Sequence, residues 1–222
     1  DSEGGGIGGS GGQVLIQGPS GSSPMGMLSA KPGSGSAAYE FVYGAMSPGL
    51  ITLPEWNLLP ATLNGGGARF NVTNGMIASL TITNYELFLD WGWETNRLRA
   101  GNITVQGTGK IRHIRNTAST TNPATGQWDP NAGIFIECTN LTIETGGQIN
   151  VDYTGFRGGI GTEPGKGPGG AGIAGNVGGG GGHGGKGGSG VWNDGNAGAA
   201  YGNPSDPLTP GSGGPADRGN NG

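Results

Sequence analysis

The densest run of positive charge is Lys110, Arg112, His113 and Arg115. On an extended strand Lys110 and Arg112 project from the same side. Cationic side chains placed together could form a ligand-gripping face, and a solvated strand face explains the same letters. In that second reading His113 turns inward, aligned with Val151. No acidic metal cluster or base lies beside the group in sequence, so catalysis is not expected there. Asp90-Trp91-Gly92-Trp93-Glu94 sets two indoles one residue apart, on one side of an extended chain. Trp91 and Trp93 are therefore the first choice for an interaction site, able to stack on sugar rings or on a neighbouring subunit. Packing at a corner would use them equally well.

Trp128-Asp129-Pro130-Asn131-Ala132-Gly133 and Trp192-Asn193-Asp194-Gly195-Asn196-Ala197-Gly198 echo each other. Asp129 or Asp194 could supply oxygens to Ca²⁺, but turn formation by Asp and Asn accounts for both stretches without a metal. His113 and His183 are the only histidines, which excludes a His-rich zinc site, and no nucleophile motif accompanies them. No cofactor is expected, and the chain does not read as an enzyme. N-x-T sequons at Asn71, Asn102 and Asn140 would carry glycans only where the source organism glycosylates.

These residues must be positioned by an unusual chain. From Gly169 to Gly190 it reads in threes, with glycine at 169, 172, 175, 178, 181, 184, 187 and 190. Gly155–Gly170 keeps the period in another phase. Three residues per turn is the period of a polyproline II helix, which has no internal hydrogen bonds. Glycine at every third position leaves a bare edge on which a neighbouring backbone can approach and accept the unpaired N–H groups. Polyglycine II-type strands packed together are expected rather than a flexible linker. His183, Lys186 and Ser189 would then line one common edge.

With 54 glycines and 14 prolines in 222 residues, the average composition resembles low complexity. That average hides Gln13–Asp152, which holds ordinary apolar runs. Only 12% of residues are charged and the net charge is −4, which argues against a nucleic-acid binder. Cys138 is single and sits at an alternating apolar position, so it reads as a buried inert thiol. No run reaches the length of a membrane helix. Low charge density suits a secreted, crowded or self-associating protein. The first residue, Asp1, suggests a processed terminus, though a truncated chain would look the same; a secreted protein is expected.

Asn102–Ile114, NITVQGTGKIRHI, and Asn140–Asp152, NLTIETGGQINVD, are two versions of one unit. Leu80-Thr81-Ile82-Thr83, followed by Tyr85–Leu89, is a partial third. Short β-branched strands separated by glycine turns and recurring at intervals predict an all-β fold, a parallel β-helix or solenoid. A β-sandwich is the alternative. Ile103, Val105, Ile111, Leu141, Ile143 and Ile149 are the expected core, with Thr81, Thr104 and Thr142 in an outward ladder. The chain thus divides into a glycine-rich arm (1–12), a strand-rich domain (13–152) and a glycine-rich region (153–222).

The succession LTIETGGQINVDYTGFRGG, a glycine tract and YGNPSDPLTPGSGG resembles secreted bacterial glycine-rich β-helix proteins across residues 133–214. That resemblance implies a coil opening into a glycine-rich excursion. The lyases among β-helix proteins imply an acidic polysaccharide as the ligand of the basic group. The expected function is a secreted structural protein, a subunit of an extracellular or cell-surface fibre. A carbohydrate-binding adhesin is the alternative, and a polysaccharide-degrading enzyme or an ice-binding protein ranks lower. Self-association is expected through Val14, Leu15 and Ile16, an apolar strand on a glycine tether that would pair with an open edge of the next subunit, the alternative being that it folds back onto its own first coil.

Overall fold

The computed structural model describes residues 13–15, 29–30, 48–89, 97–114, 116–152, 154–160, 163–174, 177–190, 197–203, 205 and 208–215. The chain forms two compact units, Asp1–Ile114 with Ala132–Val151, and Arg115–Asn131 with Asp152–Gly222.

Among its described residues the helical structure of the first unit is one 3-10 turn, Trp56–Leu58, and the rest of its regular structure is β. Its strands are β1 (Gln13–Leu15), β2 (Leu50–Glu55), β3 (Thr62–Asn74), β4 (Ile77–Leu89), β5 (Leu98–Gln106), β6 (Lys110–His113), β7 (Ile136–Ile143) and β8 (Gln148–Ile149). They form one sheet in the order β1-β2-β3-β4-β5-β7, with β6 pairing β4 and β8. Every pairing in it is parallel. A Greek-key sandwich needs antiparallel neighbours, so that alternative does not fit this unit.

Parallel register places like residues in rows. Leu63, Ile82, Val105 and Ile143 are successive partners, as are Leu80, Ile103 and Leu141. Ala68, Leu87, Ile111 and Ile149 form a third row. Side chains alternate across a strand, so the isoleucine, valine and leucine positions point inward together and the threonines outward. Leu63, Ile82, Val105, Leu87 and Ile111 have no exposed surface. Trp56 closes over the same core and its indole N–H donates to the Arg97 carbonyl at 2.6 Å.

A corner recurs between the inward rows. Gly65, Asn84, Gly107 and Gly146 all take positive φ, at 72°, 49°, 59° and 87°. Left-handed backbone favours glycine, with asparagine the tolerated exception. Asn84 is held by polar neighbours: its amide donates to Asn64 Oδ1 at 3.3 Å, and the Thr108 hydroxyl donates to its Oδ1 at 3.0 Å. The chain takes one residue more between Gln106 and Lys110 than between their partners Thr83 and Glu86. The Gly107-Thr108-Gly109 turn absorbs it, because strand register is intact on both sides.

Two sequence expectations need correction. Ile103, Val105 and Ile111 are buried, but Leu141, Ile143 and Ile149 are 41%, 47% and 37% exposed. Their side chains occupy the inward rows; among the described residues, however, no strand pairs with β7 or β8 beyond β5 and β6, so nothing is stacked upon them. The N-terminal strand is also not free. Gln13, Val14 and Leu15 pair with Leu50, Ile51 and Thr52 of their own chain.

Among the described residues the second unit has one short antiparallel strand pair, β9 (Ile173–Ala174) with β10 (Val177–Gly178). Elsewhere, apart from an antiparallel bridge between His183 and Gly185, extended segments exchange single hydrogen bonds. Phe156 N–H donates to Gly211 C=O and Gly159 N–H to Gly214 C=O, so both chains advance three residues between bonds. Gly180 donates to Gly188, Gly187 to Gly198 and Gly198 back to Gly180, closing a ring through three segments. The segment 211–214 meets three others: Gly213 donates to Lys166, Ser212 to Gly182, and Gly211 accepts from Phe156.

Close approach explains the glycines here. A Cβ on Gly169 or Gly182 would fall on the Ala199 carbonyl oxygen, one on Gly181 on that of Ser212, and one on Gly187 on that of Gly180. A Cβ on Gly178 would meet the Pro215 ring at 2.5 Å. Gly172 and Gly184, in the same triplet phase, have open space, whereas Gly170 and Gly182, out of phase, are packed. The single bare edge expected from the triplets is therefore several edges, because segments with neighbours on more than one side need glycine in more than one phase.

Candidate interaction surface

On the outer face of the first unit, Thr62, Thr81, Thr104 and Thr142 are register partners. The expected threonine ladder is present and one residue longer. Beside it Ser79, Asn102 and Asn140 form a second column. The Asn140 amide donates to Asn102 Oδ1 at 2.8 Å, and the Asn102 amide to Ser79 Oγ at 3.4 Å. Neighbouring strands are about 4.8 Å apart, so hydroxyls and amides recur along the face at that spacing.

The basic group divides as strand alternation requires. Lys110 and Arg112 face outward, and His113 faces inward and is buried. Lys110 Nζ lies 3.5 Å from Glu86 Oε1, its register partner. Arg112 sits over the ring of its own partner Phe88, 5.3 Å from the centroid, and Arg69 is the next partner of Phe88. The resulting row is cation, ring, cation. Arg112 Nε is buried without a hydrogen-bond partner among the described residues. His113 continues the inward row Ile51, Phe70, Leu89. Its Nδ1–H donates to the Ile114 carbonyl at 2.7 Å. Burial holds the imidazole below its ordinary pKa; that carbonyl bond opposes the shift, and the Arg112 charge adds to it.

The open end of the sheet carries Leu141, Ile143, Ile149 and Val151, the last 53% exposed. Sequence reading placed the first three in the core and so missed them as surface. Cys138 and Ile136 are half-buried on the same strand. At the opposite end Ile51, Leu53, Trp56 and Leu63 are buried, while Leu15 projects outward at 64% exposure.

In the second unit Tyr201 anchors a polar cluster. Its hydroxyl donates to the Pro210 carbonyl and accepts from Ser212 Oγ at 2.9 Å, while Gly169 N–H donates to Ser212 Oγ at 2.9 Å. The His183 ring stands edge-on to Tyr201 at 5.0 Å. Burial raises the Tyr201 phenol pKa and the Ser212 bond partly offsets it. His183, Lys186 and Ser189 are all exposed.

Trp91, Trp93, Arg115, Ile16, Gly175 and Asp194 lie outside the described residues. Asp129 Oδ2 accepts from the Asn122 amide at 2.6 Å. Among the described residues no three His, Cys, Asp or Glu side chains converge as a metal site, and no helix is long and apolar enough to cross a membrane. The chain matches no protein family, no curated protein and no solved structure.

Proposed function

We propose that this chain is a secreted structural protein of the extracellular space or cell surface that assembles with copies of itself. In this reading the first unit is a parallel β-solenoid, and the second is a bundle of polyglycine II-type strands. The recurring register and the stacked left-handed corner support the solenoid. Hydrogen bonds advancing by three residues support the bundle.

One observation carries the function. The last tier leaves Leu141 and Ile143 of β7, Ile149 of β8 and Val151 just after it exposed at the outer edge of the sheet. Unpaired backbone edged by apolar side chains invites another strand unless it is protected by charge, proline or a covering element. Such an end serves an assembling protein. The contact is taken at this tier, where four apolar side chains lie exposed, rather than at Val14–Ile16, whose described part, β1, lies along β2 of its own chain. Sedimentation velocity with electron microscopy tests the reading: assemblies of defined size are expected at micromolar concentration, and a strict monomer would overturn it.

The row Arg69, Phe88, Arg112 favours a second reading, an adhesin for acidic carbohydrate. A glycan array separates the two, since only the adhesin retains anionic glycans and loses them on Arg112→Ala.

A further inference from the structure

Resting on that self-association, the geometry of β7 points to the arrangement of the contact. We propose that two copies join through their open ends about a two-fold axis between Thr139 and Asn140, each β7 pairing antiparallel with the partner's β7.

The first observation is the pattern of β7 itself. Reading Ile136 to Ile143, inward positions are 136, 138, 141 and 143, and outward positions are 137, 139, 140 and 142. Rows fix this: Cys138 follows Ile77 and Ala100, Leu141 follows Leu80 and Ile103, and Ile143 follows Ile82 and Val105. The pattern is the same in both directions. Antiparallel pairing of Ile136 with the partner's Ile143, and of Cys138 with the partner's Leu141, therefore sets inward against inward throughout.

Backbone direction supplies the second observation. Phe135 C=O accepts from Leu98 at 2.9 Å, and Glu144 N–H donates to Val105 at 2.9 Å. Successive residues of a strand direct their N–H and C=O to opposite edges. Residues 135 and 137, and again 142 and 144, thus face β5, with the outward pair at Thr139 and Asn140 reversing the phase. Residues 136, 138, 141 and 143 face the free edge. They are the residues the two-fold pairs, so each couple can exchange both hydrogen bonds.

Charge and asymmetry agree. Glu137 would lie opposite the partner's Thr142, and Glu144 opposite the partner's Phe135. Arg97 stacks on Phe135 at 4.3 Å within one chain, which brings a cation near that glutamate. No like charges stand directly opposite. Among the described residues the other end of the sheet is β1, three residues long against the eight of β7, so β7 finds a full-length match only in a second β7. A patch that meets itself closes at two copies and does not propagate.

The test is cysteine pairing in the full chain. Positions 137 and 142 form a non-hydrogen-bonded couple with Cα atoms about 4.5 Å apart, within disulfide reach. Glu137→Cys with Thr142→Cys, on a Cys138→Ala background, should oxidise to a covalent dimer of twice the 22.0 kDa chain and nothing larger. Within one strand these positions are too far apart to bridge. Either substitution alone should give no cross-strand bridge of this kind, and Ile143→Lys should convert the native dimer to monomer. Assemblies of the intact protein without the 137–142 bridge would overturn the two-fold while leaving self-association standing. A strict monomer would overturn both.

Discussion

Replacing Gly182 by alanine tests whether the glycine-rich unit is a packed solid or a loose chain. A Cβ there would fall on the Ala199 carbonyl oxygen, well inside the 3.0 Å that real Cβ atoms essentially never approach. That neighbour is backbone and cannot rotate away. Making room strains two bonds, Gly182 N–H to Gly169 C=O at 2.8 Å and Ser212 N–H to Gly182 C=O at 3.3 Å. Each is worth about 1 kcal/mol net, and overpacking adds about 1–3 kcal/mol. Alanine returns about 0.4–1 kcal/mol by restricting the unfolded chain. The expected loss is about 2–4 kcal/mol. Gly172→Ala is the control, since its Cβ meets nothing within 4 Å and its φ is not left-handed; it should be neutral or slightly stabilising. Urea unfolding gives both numbers, and hydrogen exchange over 166–171 and 211–214 localises them. If the two variants differ by less than about 0.5 kcal/mol, the packing reasoning fails.

Leu80→Ala, in a fully lined inward row, should lose about 2–5 kcal/mol in the same assay. Asn84→Ala should lose about 1–2 kcal/mol, from left-handed strain plus its two side-chain bonds, and Asn84→Gly should recover the strain part. His113 binds its proton less readily folded than unfolded, so its neutral form favours the fold. That contribution is complete above the ordinary imidazole value of about 6.5 and declines as pH falls below it. Thermal melts from pH 8 to 5 should therefore show an acid decline that His113→Phe reduces.

The repeat was legible because a strand's neighbours are written in its own pattern. Asn102-Ile103-Thr104-Val105 and Asn140-Leu141-Thr142-Ile143 are register partners, and Leu80-Thr81-Ile82 continues both columns. Alternation specifies which way a side chain points. It does not say whether a further tier lies above, so Leu141, Ile143 and Ile149 read as core. The glycine tether before Val14 carries no register signal, so the sequence left open whether that strand meets its own chain, as β1 meets β2, or a neighbour's. Triplet period was visible from Gly169 to Gly190, but the number of neighbours around each segment depends on chain returning from far away, as 211–214 does. The cation–ring–cation row was half visible: Arg112 was in the basic run, while Arg69 and Phe88 join it only through parallel register.

The corner through Gly65, Asn84, Gly107 and Gly146 acts as a slip joint. Each tier crosses it in a left-handed turn, and the tier at Gly107-Thr108-Gly109 carries an extra residue there without shifting the rows on either side. A change of length at this place stays local, because the apolar rows realign the chain as soon as it leaves the bend. Tiers can therefore diverge in size one at a time, by natural drift or by a designer's hand, while their neighbours keep their pairing. The same freedom does not extend to the strands, where a single added residue would turn every following leucine and isoleucine out of the core.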